Sequence, residues 1–350
     1  MIQTQKVISF ILNKRKVVYL SLGIVCLFIV LFYGFLLFLP WGLSEGKESI
    51  EITIERGMTP DEIAALLEEE GVIRGKRYFL RAAKLLGVTR KLQAGRYRFE
   101  SRLSNYSVLR KLSKGRVITS WVTFPEGVRS THIAGILRER FEIDSTRFMA
   151  LVKDSAHCRS VGIDAPHLEG YLYPDTYRFH LEPSEEEIIA HMVSRFREVF
   201  VDSLRQRADA LGMTIHQVMT LASIVEGEAA LDSERTIIAA LYHNRLKRGM
   251  LLQADPTIQY IIKGGPRRLL NRDLEIDSPY NTYIHSGLPP GPVNNPGLAS
   301  ILATLYPASV GYLYMVANGD GSHTFSRSIR EHLRAKQRFD QVRKKVRGQR

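Results

Sequence analysis

The sequence predicts an α+β protein: an N-terminal transmembrane helix, small βα subdomain(s) behind it, and a mixed α/β domain with a groove. Three observations predict it. One uncharged apolar run covers residues 17–39, a strand-turn-helix pattern recurs at a shift of 70 residues, and from about His167 the chain becomes rich in aromatic, Pro, Gly and Asn residues set between helices. The first matches the roughly 20 residues needed to cross a hydrocarbon core. The second supplies paired βα units, and the third is the composition of loops that shape sites on a scaffold.

The apolar run from Val17 to Leu39 ends in FLPWG, which lacks the small-x-small pattern of a cleaved signal, so the helix is expected to stay. Lys14, Arg15 and Lys16 precede it, and Tyr33 and Trp41 mark its far end. Basic flanks remain inside. Residues 1–16 are therefore a cytoplasmic stub, and the protein is expected in the cell inner (cytoplasmic) membrane as a single-pass species, its working part periplasmic or extracytoplasmic. The net charge of +13 is concentrated at the ends, with +4 in residues 1–16 and +7 in residues 330–350, leaving about +2 between. That is not the clustered footprint that phosphate neutralisation needs, so no nucleic acid partner is expected. Residues 341–350 read as a basic, solvated helix end or tail.

Several chemistries lack their residues. Cys26 and Cys158 form no disulfide framework, and the ten His include no HExxH and no paired Cys/His cluster, so neither metal nor cofactor is expected. Phosphate-binding Gly-rich loops are missing, as are SxxK with KTG and GxSxG. Carboxylate chemistry remains.

Residues 40–49, ending in polar GLSEGKES, read as a linker. ITIERGMTPDEIAALL from Ile52 then aligns with VTFPEGVRSTHIAGIL from Val122, with Thr53/Thr123, Gly57/Gly127, Ile63/Ile133, Ala64/Ala134 and Leu67/Leu137 identical. Each copy reads as a short strand, a Gly turn and a helix opened by a capping residue, Thr59 or Ser130, the two units packing to share a core. Between them, Ala94 to Phe99 suggests a β-hairpin strand and SVLRKLSKG a short helix closed by Gly115. This strand-helix-helix-strand pattern over residues 50–118 resembles LysM carbohydrate-binding modules.

Residues 119–340 hold the chemistry. Thr214 is a plausible N-cap for a helix whose Ile215, Val218, Met219, Ala222 and Val225 form one buried face. Glu226 falls at the edge of that face, whereas Glu228 points to a different side. A carboxyl among apolar neighbours has its charged form disfavoured and becomes a proton donor nearer neutrality, as glycosidic cleavage requires. The residues alone favour the plainer reading, in which Glu226 is a helix-face Glu paired with an Arg such as Arg235 or Arg245. In ADPT, Asp255 can cap a helix from Thr257; YNTY sets Asn281 between Tyr280 and Tyr283, chemistry suited to sugars; GLPPGPVNNPG must be a rigid extended loop.

The ordered set LEGYLYPDTY, LASIVEGEA, HNRL, GMLLQADPT, YNTY, SGLPPGP and GSHTFS, over about Ile50 to Phe339, resembles the YceG-like family of endolytic murein transglycosylases. The resemblance implies cleavage of the MurNAc–GlcNAc β-1,4 bond in nascent peptidoglycan, leaving 1,6-anhydro-MurNAc ends and limiting strand length. It also implies work beside peptidoglycan polymerases (penicillin-binding proteins). It puts the catalytic Glu on Glu226. For that reaction Gln253, Asp255, Asn281 and Tyr283, and further Glu169 and Tyr171, are expected to position the sugar in the groove. Many relatives carry Lys-Glu-Thr where this chain has Gly227, Glu228 and Ala229. A membrane-tethered, non-catalytic glycan-binding scaffold is the alternative.

Overall fold

The computed structural model describes residues 2–39, 49–100, 103–115 and 118–348, with side chains described between Tyr19 and Arg338; the linker expected at 40–49 lies almost wholly outside the described residues. Helix α1 (Ile2–Phe38) contains a stretch, Tyr19–Phe38, long and apolar enough to cross a membrane. Its Leu, Ile and Phe side chains are largely exposed, an arrangement that suits lipid. Near its end it meets protein: Leu36 is buried, its carbonyl accepts from Asn105 Nδ2 at 3.0 Å, and Phe38 lies against Tyr106.

The chain divides into two compact units, residues 1–120 with 180–182 and residues 121–179 with 183–350. In the first, β1 (Ser49–Ile54), α2 (Pro60–Glu69), α3 (Lys76–Leu85), β2 (Gly95–Glu100) and α4 (Asn105–Ser113) follow α1. Thr59 caps α2 through a capping box with Glu62, and Pro60 supplies the preset φ of the first turn. β2 is not part of a local hairpin. It pairs antiparallel with β1 across both helices, Ile52 opposite Tyr97 and Ile54 opposite Gly95. Strand alternation turns Ile52, Ile54, Tyr97 and Phe99 inward onto Ile63, Leu67, Phe79 and Leu109.

The second unit contains most of β3 (Thr119–Thr123), α5 (Ser130–Phe141), α6 (Ser145–Lys153), α7 (Ser155–Ser160), most of β4 (Thr176–His180), α8 (Glu185–Val199), α9 (Asp202–Ala210), α10 (Ile215–Glu228), α11 (Arg235–Lys247), α12 (Asp255–Ile261), α13 (Leu298–Leu305), β5 (Tyr314–Ala317), β6 (His323–Ser326) and α14 (Ile329–Gly348). β3 pairs with β4, and β5 with β6. The basic C-terminal run thus continues a helix as far as Gly348.

Several local expectations change. The repeated βα units do not share a core: Ile63, Ala64 and Leu67 belong to one cluster, Ile133, Ala134 and Leu137 to another. Ser130 is the first residue of α5 rather than its cap, and its N–H is taken by the Glu169 carboxylate at 2.9 Å. α12 starts at Asp255, so Asp255 is not its cap either. Thr214 does cap α10, in a capping box with Gln217. That helix, however, is buried on every side from Val218 to Val225, with Val218, Met219 and Ala222 in one core cluster and Leu221, Ile224 and Val225 in a second. It is an interior helix, which is the meaning of an all-round apolar sequence.

Candidate active site

The C-terminal turn of α10 is the centre of the site, and the Pro-rich loop before α13 is fastened to it. Ser223 Oγ accepts from Val293 N at 2.9 Å, and its carbonyl accepts from Asn294 Nδ2 at 2.8 Å. The next residue, Asn295, is fully buried. Its Oδ1 accepts from Gly170 N and Leu172 N, and its Nδ2 donates to Val128 O and to Glu169 Oε1. Prolines cannot make such main-chain bonds, so the two asparagines hold the loop in their place. Gly170 fits because it has φ +88 and no side chain; a Cβ there would meet Pro292 at 2.4 Å.

The last turn of α10 presents two carboxyls in different surroundings. Glu226 is nearly buried, with its side chain 8% exposed. Its Oε1 lies 3.2 Å from Arg235 Nη1, and its Oε2 accepts from Gly297 N at 3.1 Å. Of the two surroundings the residues allowed, the structure thus has the pairing with Arg235 rather than the apolar one. Arg235 is itself fixed by Ser300 Oγ and Asp232, whereas Arg245 spends its guanidinium on the carbonyls of Leu313, Leu251 and Leu252. Glu126 lies close by, in the space a Gly297 side chain would fill, and burial together with the charge of Glu226 pushes its carboxyl above the ordinary range.

Glu228 is the opposite case. It borders two cavities, one of about 350 Å³ with Gly127, Arg129, Pro256 and Asn294, the other of about 220 Å³ with Gln253, Tyr242, Tyr283 and His323; Asp255 borders both. Burial pushes the Glu228 carboxyl up to about 7, and the hydrogen bond from the Tyr242 hydroxyl, 2.8 Å from Oε1, offsets only part of that. The negative charge of Asp255 adds to the rise. Gly227 permits this closeness, since a Cβ there would lie 2.7 Å from the Pro256 ring that opens α12. The Tyr283 hydroxyl donates to Asp255 Oδ1 at 2.5 Å, and Gln253 takes a positive φ of 48° between buried Leu252 and Ala254.

A model of the YceG-like family matches residues 52–338. The chain belongs to the YceG-like family. It is 31% identical over 312 residues to an endolytic murein transglycosylase of Bacillus subtilis, a match spanning 85% of this chain and 86% of that one. A protein of the same name from Streptococcus pneumoniae is 28% identical over 335 residues, which is 84% of this chain and 60% of the relative. A crystal structure of a YceG-like protein from Listeria monocytogenes aligns with a TM-score of 0.56 and 32% identity, over 83% of this chain and 99% of that one.

Within this YceG-like fold the residues singled out in the sequence separate into two groups. Gln253, Asp255 and Tyr283 come together around Glu228. Asn281, Glu169 and Tyr171 do not join them. Asn281 is fully buried, its amide donating to Leu274 O and Ile276 O and its Oδ1 accepting from Tyr283 N, so it shapes the loop that carries Tyr283. Glu169 closes the N-terminus of α5, and burial pushes it up to about 7. Tyr171 bonds His216 at 2.9 Å beside a separate cavity of about 450 Å³ at the start of α10. Sequence reasoning passed over Glu228, Tyr242, Glu234 and His323; the GSHTFS motif was the one signal that pointed to His323. Among the described residues no cluster of three His, Cys, Asp or Glu could hold a metal.

Proposed function

We propose that this chain is an endolytic murein transglycosylase whose proton donor is Glu228. The observation that carries the reading is a partly buried carboxyl, raised to about 7 by its surroundings, at the junction of two solvent-accessible cavities. Near neutrality such a group retains a proton to give. Glu228 protonates the glycosidic oxygen between MurNAc and GlcNAc, the C1–O bond breaks, and the C6 hydroxyl of the same MurNAc closes on C1 to leave a 1,6-anhydro end. An internal nucleophile needs no carboxylate to activate water, so one acid suffices for the cleavage. Asp255, held by Tyr283, and Gln253 line a groove and orient sugar hydroxyls. Glu226, paired with Arg235, holds α11 and the loop at Gly297 against α10 and takes no proton in the reaction.

The names of the relatives favour this enzyme over a non-catalytic tethered scaffold. The first unit's strand-helix-helix-strand order, with its antiparallel pair, supports a LysM-like module for residues 50–118, ahead of a catalytic domain over residues 119–340. The apolar helix and its basic N-terminal flank support a single-pass anchor in the inner membrane with the catalytic unit outside, next to the polymerases that make nascent strands. Mass spectrometry tests the reaction. The full-length protein in detergent, acting on uncrosslinked strands, should give products with no added water; products heavier by one water would replace the transglycosylase with a hydrolase.

A further inference from the structure

The cavity beside Glu228 holds a second titratable group that this mechanism leaves unused. His323, on β6, lines it together with Glu228 and is nearly buried, with its side chain 11% exposed. Glu234, in the short turn before α11, grips it twice: Oε1 accepts from the His323 main-chain N–H at 2.9 Å, and Oε2 lies 2.7 Å from Nδ1. A carboxylate only accepts, so Nδ1 must carry hydrogen and the neutral ring has its lone pair on Nε2. Among the described residues Nε2 has no protein partner. A histidine oriented through Nδ1 by a carboxylate, with its other nitrogen free at a cavity, is the arrangement of a general base.

We propose that His323, oriented by Glu234, is the base that accepts the proton of the MurNAc C6 hydroxyl. The inference rests on the transglycosylase reading above and assigns the step which that reading leaves open. As the O6–C1 bond forms, the O6 proton passes to His323 Nε2; as C1–O4 breaks, the Glu228 proton passes to O4 of the departing GlcNAc. The proton on His323 then returns through water to the Glu228 carboxylate, so the cycle balances with no co-reactant. One carboxyl cannot donate and accept in the same instant, whereas an acid and a base already in their working protonation states allow attack and departure to be coupled. The charged and titratable groups facing His323 are Glu234 from the turn, Glu228 from α10, Tyr242 and Arg245 from α11, Asp255 from α12 and Tyr283; β5 contributes only Met315 and Ala317.

The test uses the full-length protein in detergent with uncrosslinked glycan strands, following anhydro-product formation against pH. The wild type should show two limbs, an acidic one for the base and an alkaline one for the Glu228 acid. His323→Gln should lower kcat by roughly 10²-fold or more, the usual contribution of a positioned base, with KM little changed. Its acidic limb should vanish while the alkaline limb stays. Imidazole should restore part of the turnover of His323→Ala. Glu234→Gln keeps the ring but removes the carboxylate that orients it, so kcat should fall with KM little changed; this variant carries the test if His323 variants fail to fold. A His323→Gln enzyme with wild-type kcat, or one that keeps the acidic limb, overturns the proposal, as does a Glu234→Gln enzyme with wild-type kcat. Persistence of the alkaline limb in Glu228→Gln would instead count against the acid assignment, so the two failures are distinguishable.

Discussion

Replacing Glu226 by Gln separates a structural carboxylate from a catalytic one. In the native structure this side chain is 8% exposed and meets two donors, Arg235 Nη1 at 3.2 Å and Gly297 N at 3.1 Å. Removing one member of a buried ion pair costs about 3–5 kcal/mol when nothing replaces it. Gln keeps the shape and one acceptor oxygen, which can still receive Gly297 N–H; what is lost is the charge-assisted contact to a guanidinium, about 1.5–3 kcal/mol. A loss of about 2 kcal/mol should lower the melting transition of a domain this size by roughly 4–8 °C. Thermal unfolding of the full-length protein in detergent, monitored by circular dichroism, measures that shift, and anhydro-product formation on uncrosslinked strands well below the transition measures activity. Turnover within about threefold of wild type at the lowered melting temperature is expected. An unchanged melting temperature with turnover abolished would refute the argument and return the acid role to Glu226.

Two further substitutions follow from the same site. Tyr242→Phe removes the hydroxyl that holds the Glu228 value down, so the alkaline limb of the activity profile should move to higher pH; an unmoved or acid-shifted limb would contradict the assigned contact. Glu169 is raised to about 7 in the fold from an ordinary carboxyl value of 4.5, so between those pH values the folded state binds more protons than the unfolded one. Stability should therefore fall as pH rises through that window. Glu169→Gln, which keeps an acceptor for Ser130 N–H, should flatten the dependence in pH-resolved denaturant unfolding, and an identical slope in the variant would count against it.

Much of the fold was legible because it is written locally. The apolar run specifies its own length, the Thr59 and Thr214 caps sit at the start of apolar periodicity, and Gly115 closes its helix. The surroundings of the two carboxyls at the end of α10 were not. A one-faced reading of α10 makes a residue off the apolar stripe look solvated. Because Val218 to Val225 are enclosed by two clusters, the side away from that stripe is also interior, and Glu228 meets Tyr242 of α11 and Pro256–Asp255 of α12 rather than water alone. For Glu226 the residues allowed two surroundings, and the structure has the pairing with Arg235 rather than the apolar one; the contact with Gly297 crosses a turn that no periodicity records. Gln253, Asp255 and Tyr283 stand in two motifs, GMLLQADPT and YNTY, whose polar side chains singled them out, and the fold brings them to one cavity. Glu169 and Asn281 carried the same chemistry yet serve a helix N-terminus and a loop, a distinction that depends on which main-chain N–H or C=O groups the fold leaves open.

The central claim is that one carboxyl, at Glu228, donates the proton that breaks the glycan. Anhydro-muropeptide release from uncrosslinked strands by full-length Glu228→Gln, beside wild type and Glu226→Gln at matched folded fraction, tests it most directly. The account predicts no detectable anhydro ends from Glu228→Gln, with strand binding retained, and near-normal release from Glu226→Gln. Wild-type release from Glu228→Gln would contradict it.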